Sequence, residues 1–317
     1  IHEYPDVPSR EPDSSAMIAS VENAPVITAV ATTNFEHVEV RFDNSGGVTL
    51  LSGAMDHGQG HGTTFKQVLS HKLGIDAELI RYMDGDTDLV VTGGGTYGSR
   101  SATIGGSAIH VATEKVIEKG KKIAAHMLET AEADLECEGG RVSVKGVPDL
   151  SVTLGEIAHS VAGTPGYALP GGIAPGLEAT HYFAPTQSAF CNGTHVVEIE
   201  VDVETGAVTI LRYVAAHDAG MLINPLIVDG QVQGAVAHGI GNALYELMHY
   251  DADANPVSTT FAEYLIPGAG DVPDAEMIHI ESPSPLNPLG VKGAGEGSTV
   301  PAAAAVISAI ENTSINY

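Results

Sequence analysis

Glu296 stands between Gly295 and Gly297 in the run "GVKGAGEGST" (290–299), where the only other charge is Lys292. A carboxylate just ahead of a helix gains from the helix dipole, which is one reading of that position. A carboxylate on a glycine loop, close to a bound anion and short of water, could instead act as a general base. Two further glycine-rich loops lead into helical patterns, "DHGQGHGTT" (56–64) and "GGGTYGSRSAT" (93–103). Glycine lets backbone approach a ligand, and amides at a helix start point at anions, so phosphate or pyrophosphate binding is the functional reading. Tight turns are the structural alternative for each loop alone.

Other chemistries fit these loops less well. Gly93-x-Gly95-x-x-Gly98 matches a dinucleotide fingerprint, yet the acidic strand end expected about 20 residues later is missing. No GxxxxGK[ST] loop or GxSxG elbow is present; "GSRSA" does not supply the latter. His57 and His61 stand four apart, a zinc spacing, but the glycines between 58 and 62 oppose the helix that would align them. Arg100, one of six arginines, lies in a glycine-serine loop where its forked donors suit either a phosphate or a structural salt bridge.

The elements that must position these loops follow a repeated order. "HVEVRF" (37–42), the turn "DNSGG" and "VTLLSG" (48–53) read as a hairpin before the 56–62 loop. "TTFKQVLSHKLG" (63–74) then reads as a helix, with Thr63 as cap and Gly74 as stop. The order returns as "HVVEIEV" (195–201), "DVETGA", "VTILRYVAA" (208–216), the loop "HDAGMLINP" (217–225) and an apolar helix around 232–248. Val48-Thr49-Leu50-Leu51 before Asp56-x-Gly58 parallels Val208-Thr209-Ile210-Leu211 before Asp218-x-Gly220. The expected fold class is α+β, with duplicated hairpin-loop-helix subdomains whose equivalent loops grip one elongated ligand.

Between the units lie a helical stretch near 101–133, a hairpin candidate "LECEGGRVSV" (135–144) and a loop-rich segment at 163–179, a linker or a lid. "STVPAAAAVISAIEN" (298–312) reads as a last helix capped by Ser298 or Thr299. The expected organisation is an N-terminal extension (1–36), a first subdomain (37–162), a loop-rich connection (163–194) and a second subdomain (195–317).

Fourteen Lys and Arg against 40 acidic residues leave a formal charge of -26, which disfavours nucleic acid and anionic membrane surfaces. The excess also fits a salt-adapted source, or a face buried against a partner. No apolar run approaches a bilayer span and the opening residues lack a leader pattern, so a soluble, cytoplasmic protein is expected. Cys137 and Cys191 alone build neither a disulfide framework nor a four-cysteine cluster.

Five segments in order, "DHGQGHGTTFKQVLSHKLGI", "GDTDLVVTGGGTYGSRSAT", "VDVETGAVTILRYVAAHDAGMLINP", "GQVQGAVAHGIGNALYE" and "NPLGVKGAGEGSTVPAAAAVISAI", resemble the C-terminal half of the molybdenum-binding subunit of the xanthine dehydrogenase family of molybdenum hydroxylases. The nearest flavour is similar to aerobic carbon monoxide dehydrogenase large chains and bacterial aldehyde or N-heterocycle dehydrogenases. The resemblance implies a molybdopterin cofactor with molybdenum, often the cytosine dinucleotide form, held through the pterin dithiolene rather than by protein ligands. It maps cofactor contacts onto Gln59, Gly60, Gly98, Ser99, Arg100, Ser101, Gln231 and Gly295, and the catalytic base onto Glu296. The implied reaction inserts a water-derived oxygen at an electron-poor carbon of an aldehyde, N-heterocycle or carbon monoxide.

Iron-sulfur clusters and FAD are implied only on partner subunits, beside a second molybdenum-binding half. Nothing here resembles that preceding half, so the chain reads as a split subunit, a fragment or a relic. Two other readings stay open: a non-catalytic cofactor-holding or assembly subunit, and a Rossmann-type NAD-dependent dehydrogenase.

Overall fold

The computed structural model describes residues 17–21, 35–162 and 169–315. Its fold is α+β and duplicated. Strand β1 (Met17–Val21) joins the second repeat, as shown below, and the first repeat opens with β2 (Glu36–Phe42) and β3 (Val48–Ser52). This hairpin pairs Phe42 with Val48 and Val38 with Ser52, and Val38, Val40, Val48 and Leu50 lie fully or almost fully buried. Alternation along both strands thus turns one apolar face toward the helices.

Helix α1 (His61–Leu73) follows, then β4 (Ile80–Met83), which pairs parallel with β3. Thr63 does not cap α1: the helix begins two residues earlier, on Gly60 at φ 76° with no side-chain cap. Gly74 closes it in the left-handed conformation, as expected.

A π-helical turn (Ser101–Gly105) runs directly into α2 (Gly106–Met127), which packs on α1 and β2. No strand leads directly into the 93–98 glycines, since β4 ends at Met83 and residues 87–89 form a turn, so the Rossmann reading loses the βαβ unit it requires. The helix ends at Met127 rather than near 133. The expected hairpin is present as β5 (Leu135–Glu138) and β6 (Arg141–Val144), extended by β7 (Val147–Thr153) into a three-stranded sheet. Helix α3 (Leu154–Ser160) starts on a capping box of Thr153 and Glu156.

Strand β8 (Glu178–Phe183) interrupts the connection expected to be loop-rich and pairs antiparallel with β2, giving the order β8-β2-β3-β4. Residues 163–168 of that connection lie outside the described residues.

The second repeat has the same plan. β9 (Asn192–Val201) and β10 (Val208–Asp218) form the hairpin, α4 (Pro225–Leu244) follows, and β11 (Glu276–His279) pairs parallel with β10. Strand β1, expected in an extension, pairs with β9 and gives the order β1-β9-β10-β11. Each hairpin thereby acquires an outer antiparallel strand that takes up its edge hydrogen bonds. Helix α4 starts seven residues before the expected 232, because Asn224 accepts the Ile227 amide and Pro225 fills the first turn.

Helix α5 (Thr299–Ile315) packs on α4, β1 and β9, as α2 packs on α1, β8 and β2. Ser298 does not cap it, since its buried Oγ has no partner. Two apolar cores result, one around Phe65, Leu69 and Ile109, the other around Val197, Val236 and Val306.

Candidate functional site

The duplication sets two equivalent loops face to face. The loop before α2 lies against the end of the first hairpin, where the Gly95 amide donates to Gly53 O at 3.2 Å. The loop before α5 lies against the end of the second, where the Lys292 amide donates to Ala219 O at 2.7 Å and Gly220 bridges Val291. The loops then touch each other. The Gly98 amide donates to Glu296 Oε1 at 3.1 Å, and the Glu296 amide meets Ser99 Oγ at 2.9 Å. Ser99 adopts φ 53°, unusual for a residue with a side chain, at the point of contact.

A pocket of about 230 Å³ opens at this junction. Its lining includes Gln59, Ser99, Ser101, Gln231, Gly295 and Glu296 among the residues assigned from sequence. One wall is apolar, built from Phe65, Met221, Leu222, Ile223, Ile227 and Val228, and the helix start at Asn224 borders it. Glu296 is solvent-exposed rather than short of water.

Three assigned residues do not line the pocket. Gly60 ends the first loop at φ 76°, and a Cβ there would sit 2.8 Å from Ile227 Cδ1, so its task is close packing of the repeats. Gly98 contributes its amide to Glu296 instead. Arg100 takes the salt-bridge alternative: it is 5% exposed, pairs with buried Glu36 at 3.1 Å and donates to Gly95 O and Phe35 O. Its guanidinium is turned inward because a charge beneath the loop needs a buried partner, and Glu36 on β2 supplies it. Burial raises the Glu36 pKa more than the His37 amide and Arg100 lower it.

Four neighbours went unassigned in the sequence. Asp218 Oδ2 accepts Lys292 Nζ at 2.6 Å, and Lys292 lines the pocket. Burial opposes ionisation of Asp218, yet Lys292 and the Gly220 and Ser282 amides outweigh it and hold the carboxyl below its ordinary range. Beneath the loop lie His217 and Cys191: a Cβ at Gly297 would meet His217 Cε1 at 2.5 Å and Cys191 Sγ at 3.2 Å. Only glycine therefore lets the loop settle there. Burial pushes the Cys191 thiol up to about 11 and lowers the His217 pKa, so both are neutral at pH 7. The Asp218-x-Gly220 repeat was the signal that marked this corner.

His57 and His61 do not form a ligand pair. His57 is exposed, whereas His61 is buried and stacks on Phe65 at 4.8 Å. Among the described residues, no group of three or more His, Cys, Asp or Glu side chains is placed to hold a metal ion, and no helix is long and apolar enough to cross a membrane.

The pocket's polar lining, with Gln59, Ser99, Ser101 and Gln231 beside an apolar wall, fits a hydrogen-bonding organic cofactor. The Gln231 side-chain amide makes no hydrogen bond among the described residues and is available to a ligand, with Gly295 and Ser99 beside it.

A family model described as "Molybdopterin cofactor-binding domain" matches residues 14–273. The carbon monoxide dehydrogenase large chain of Hydrogenophaga pseudoflava is 37% identical over 287 residues, 89% of this chain and 35% of the relative. The nicotine 6-hydroxylase large subunit of Paenarthrobacter nicotinovorans is 37% identical over 296 residues, 93% of this chain and 36% of the relative. Among solved structures, quinoline 2-oxidoreductase from Pseudomonas putida 86 superposes with a TM-score of 0.86 at 35% identity, over 95% of this chain and 39% of that one. The chain thus spans about a third of the length of the curated relatives it matches. The duplicated fold, the paired glycine loops and the family match lead to one conclusion: this chain belongs to the molybdopterin cofactor-binding domain family.

Proposed function

We propose that the chain holds a molybdopterin cofactor, in its cytosine dinucleotide form, between its two repeats, and that Glu296 is the base of a molybdenum hydroxylase. The junction of the two loops carries this reading, because it places one carboxylate at the pocket and fixes it from the opposite repeat. When bound, the cofactor would supply the two-electron redox chemistry that side chains lack. Ser99, Gln59, Gln231 and the helix start at Asn224 would orient it by hydrogen bonds, and the pterin would carry the metal.

Glu296 would remove a proton as oxygen is inserted at an electron-poor carbon. Its Oε1 is already held by the Gly98 amide, so proton transfer falls to Oε2, to which no hydrogen bond is made among the described residues. The apolar wall beside it suits an uncharged substrate such as an N-heterocycle, an aldehyde or carbon monoxide. Partners would supply the remaining molybdenum-binding half, the iron-sulfur clusters and the FAD.

Glu296→Gln keeps the Gly98 contact and removes the base. In the holoenzyme it should lower kcat by roughly 100- to 10,000-fold while molybdenum and pterin contents stay at wild-type levels. Full turnover in that variant would overturn the catalytic assignment, leaving a cofactor-holding role.

A further inference from the structure

Two equivalent aspartates follow the two hairpins and do different things. Asp56 accepts the Gly58 amide at 2.9 Å, and Asp218 accepts the Gly220 amide at 2.8 Å, the same turn in each repeat. The second oxygen of Asp56 stays local and accepts the Gly62 amide at the start of α1. The second oxygen of Asp218 leaves its own loop and takes the Lys292 ammonium, four residues before Glu296.

We propose that Asp218 and Lys292 are positioning residues that hold the Glu296 carboxylate in register with Gly98, a role that rests on the assignment of Glu296 as the base. The pair is a stiff link. Its side chains are 10% and 11% exposed, and Asp218 Oδ1 is fixed by two amides, Gly220 at 2.8 Å and Ser282 at 3.3 Å. The Lys292 backbone is tied to the same corner through Ala219 O. His217, the residue before Asp218, forms the floor on which Gly297 rests. The last two residues of β10 therefore grip both shoulders of the loop, one through Lys292 and one beneath Gly297.

The link also controls charge. Among the described residues, Lys292 is the only Lys or Arg lining the pocket. Paired with Asp218 it presents no net charge to a base that must ionise and be reprotonated. Freed from Asp218, the ammonium would turn toward Glu296, the nearest carboxylate along the loop, and draw it off Gly98.

Three holoenzyme variants test this. Asp218→Asn keeps the amide contacts and loses the charge, Lys292→Met removes the ammonium, and Lys292→Arg preserves the pair. The first readout is hydrogen exchange of the peptide containing Gly98. Asp218→Asn and Lys292→Met should each speed it, while Lys292→Arg and Glu296→Gln should leave it at the wild-type rate. The second readout is turnover, with kcat falling roughly 10- to 100-fold at little changed KM in the first two variants and recovering in Lys292→Arg.

Wild-type exchange and kcat in both Asp218→Asn and Lys292→Met would overturn the positioning role even if Glu296→Gln is inactive. An active Glu296→Gln enzyme would instead overturn the base itself. Should Asp218→Asn fail to fold, Lys292→Met and Lys292→Arg decide between these outcomes.

Discussion

The two repeats hold the same kind of loop with buried ion pairs of opposite arrangement. In the first, the cation is on the loop and the acid at the start of β2: Arg100 reaches down to Glu36, and both are sealed at 5% and 1% exposure. In the second, the cation is again on the loop but the acid closes β10, and Lys292 meets Asp218 at the pocket wall. The first arrangement is scaffolding, because nothing of the guanidinium reaches the pocket. The second leaves its cation beside the carboxylate proposed to do chemistry. Duplication thus supplied two frames, one that presents backbone amides and one that presents an acid.

Breaking each pair in turn sharpens this contrast. Arg100→Met leaves Glu36 buried with only the His37 amide for company, a loss on the order of 3–5 kcal/mol in unfolding free energy. Lys292→Met leaves Asp218 still holding two amides, so the loss should be smaller, on the order of 1–3 kcal/mol. Denaturant titration of both variants checks the order, and equal losses would mean that the pairs are equivalent after all.

A second difference lies in the sheets. The first buries one histidine, His37, whereas the second buries two, His195, whose Nδ1 lies 2.7 Å from the Tyr213 hydroxyl, and His217. Burial, with His217 adding to it, pushes the His195 pKa down to about 4 from 6.5. The unfolded chain takes up that proton below pH 6.5, whereas the folded chain holds out to about pH 4. Stability therefore falls as pH drops through this window, by about 3 kcal/mol from this group. His195→Gln, which keeps a partner for Tyr213, should flatten the fall between pH 6.5 and 4. An acid limb as steep as wild type would show that His195 does not drive it.

Much of this architecture was legible in the residues. Hairpins were visible because their apolar alternation and turn residues are local, as in "HVEVRF" and "DNSGG". The shared Asp-x-Gly after each hairpin turned out to be one turn used twice. Strands β4 and β11 were not legible, since "IRYM" and "EMIH" are four residues long and owe their existence to parallel pairing with β3 and β10. Strands β1 and β8 were missed for the same reason, each being recruited by a partner far away in the chain.

Within the site, Glu296 stood out on its glycine loop, whereas Ser99 and Gln231 were named through the family resemblance, Gln231 lying inside α4. Arg100 was mapped to the cofactor by the resemblance, whereas its actual partner Glu36 lies 64 positions earlier and only the fold brings them to 3.1 Å. Lys292 was seen as a lone charge, and its significance required knowing that β10 ends beneath it.

The central claim is that the junction of the two repeats is the cofactor site, and the most direct test is a structure of the holoenzyme with its cofactor bound. Density for a pterin and its phosphates is expected in the pocket between Ser99, Gln231 and Gly295, with the Glu296 carboxylate turned toward it. Cofactor density elsewhere in the enzyme, with this pocket filled by another protein segment, would contradict it.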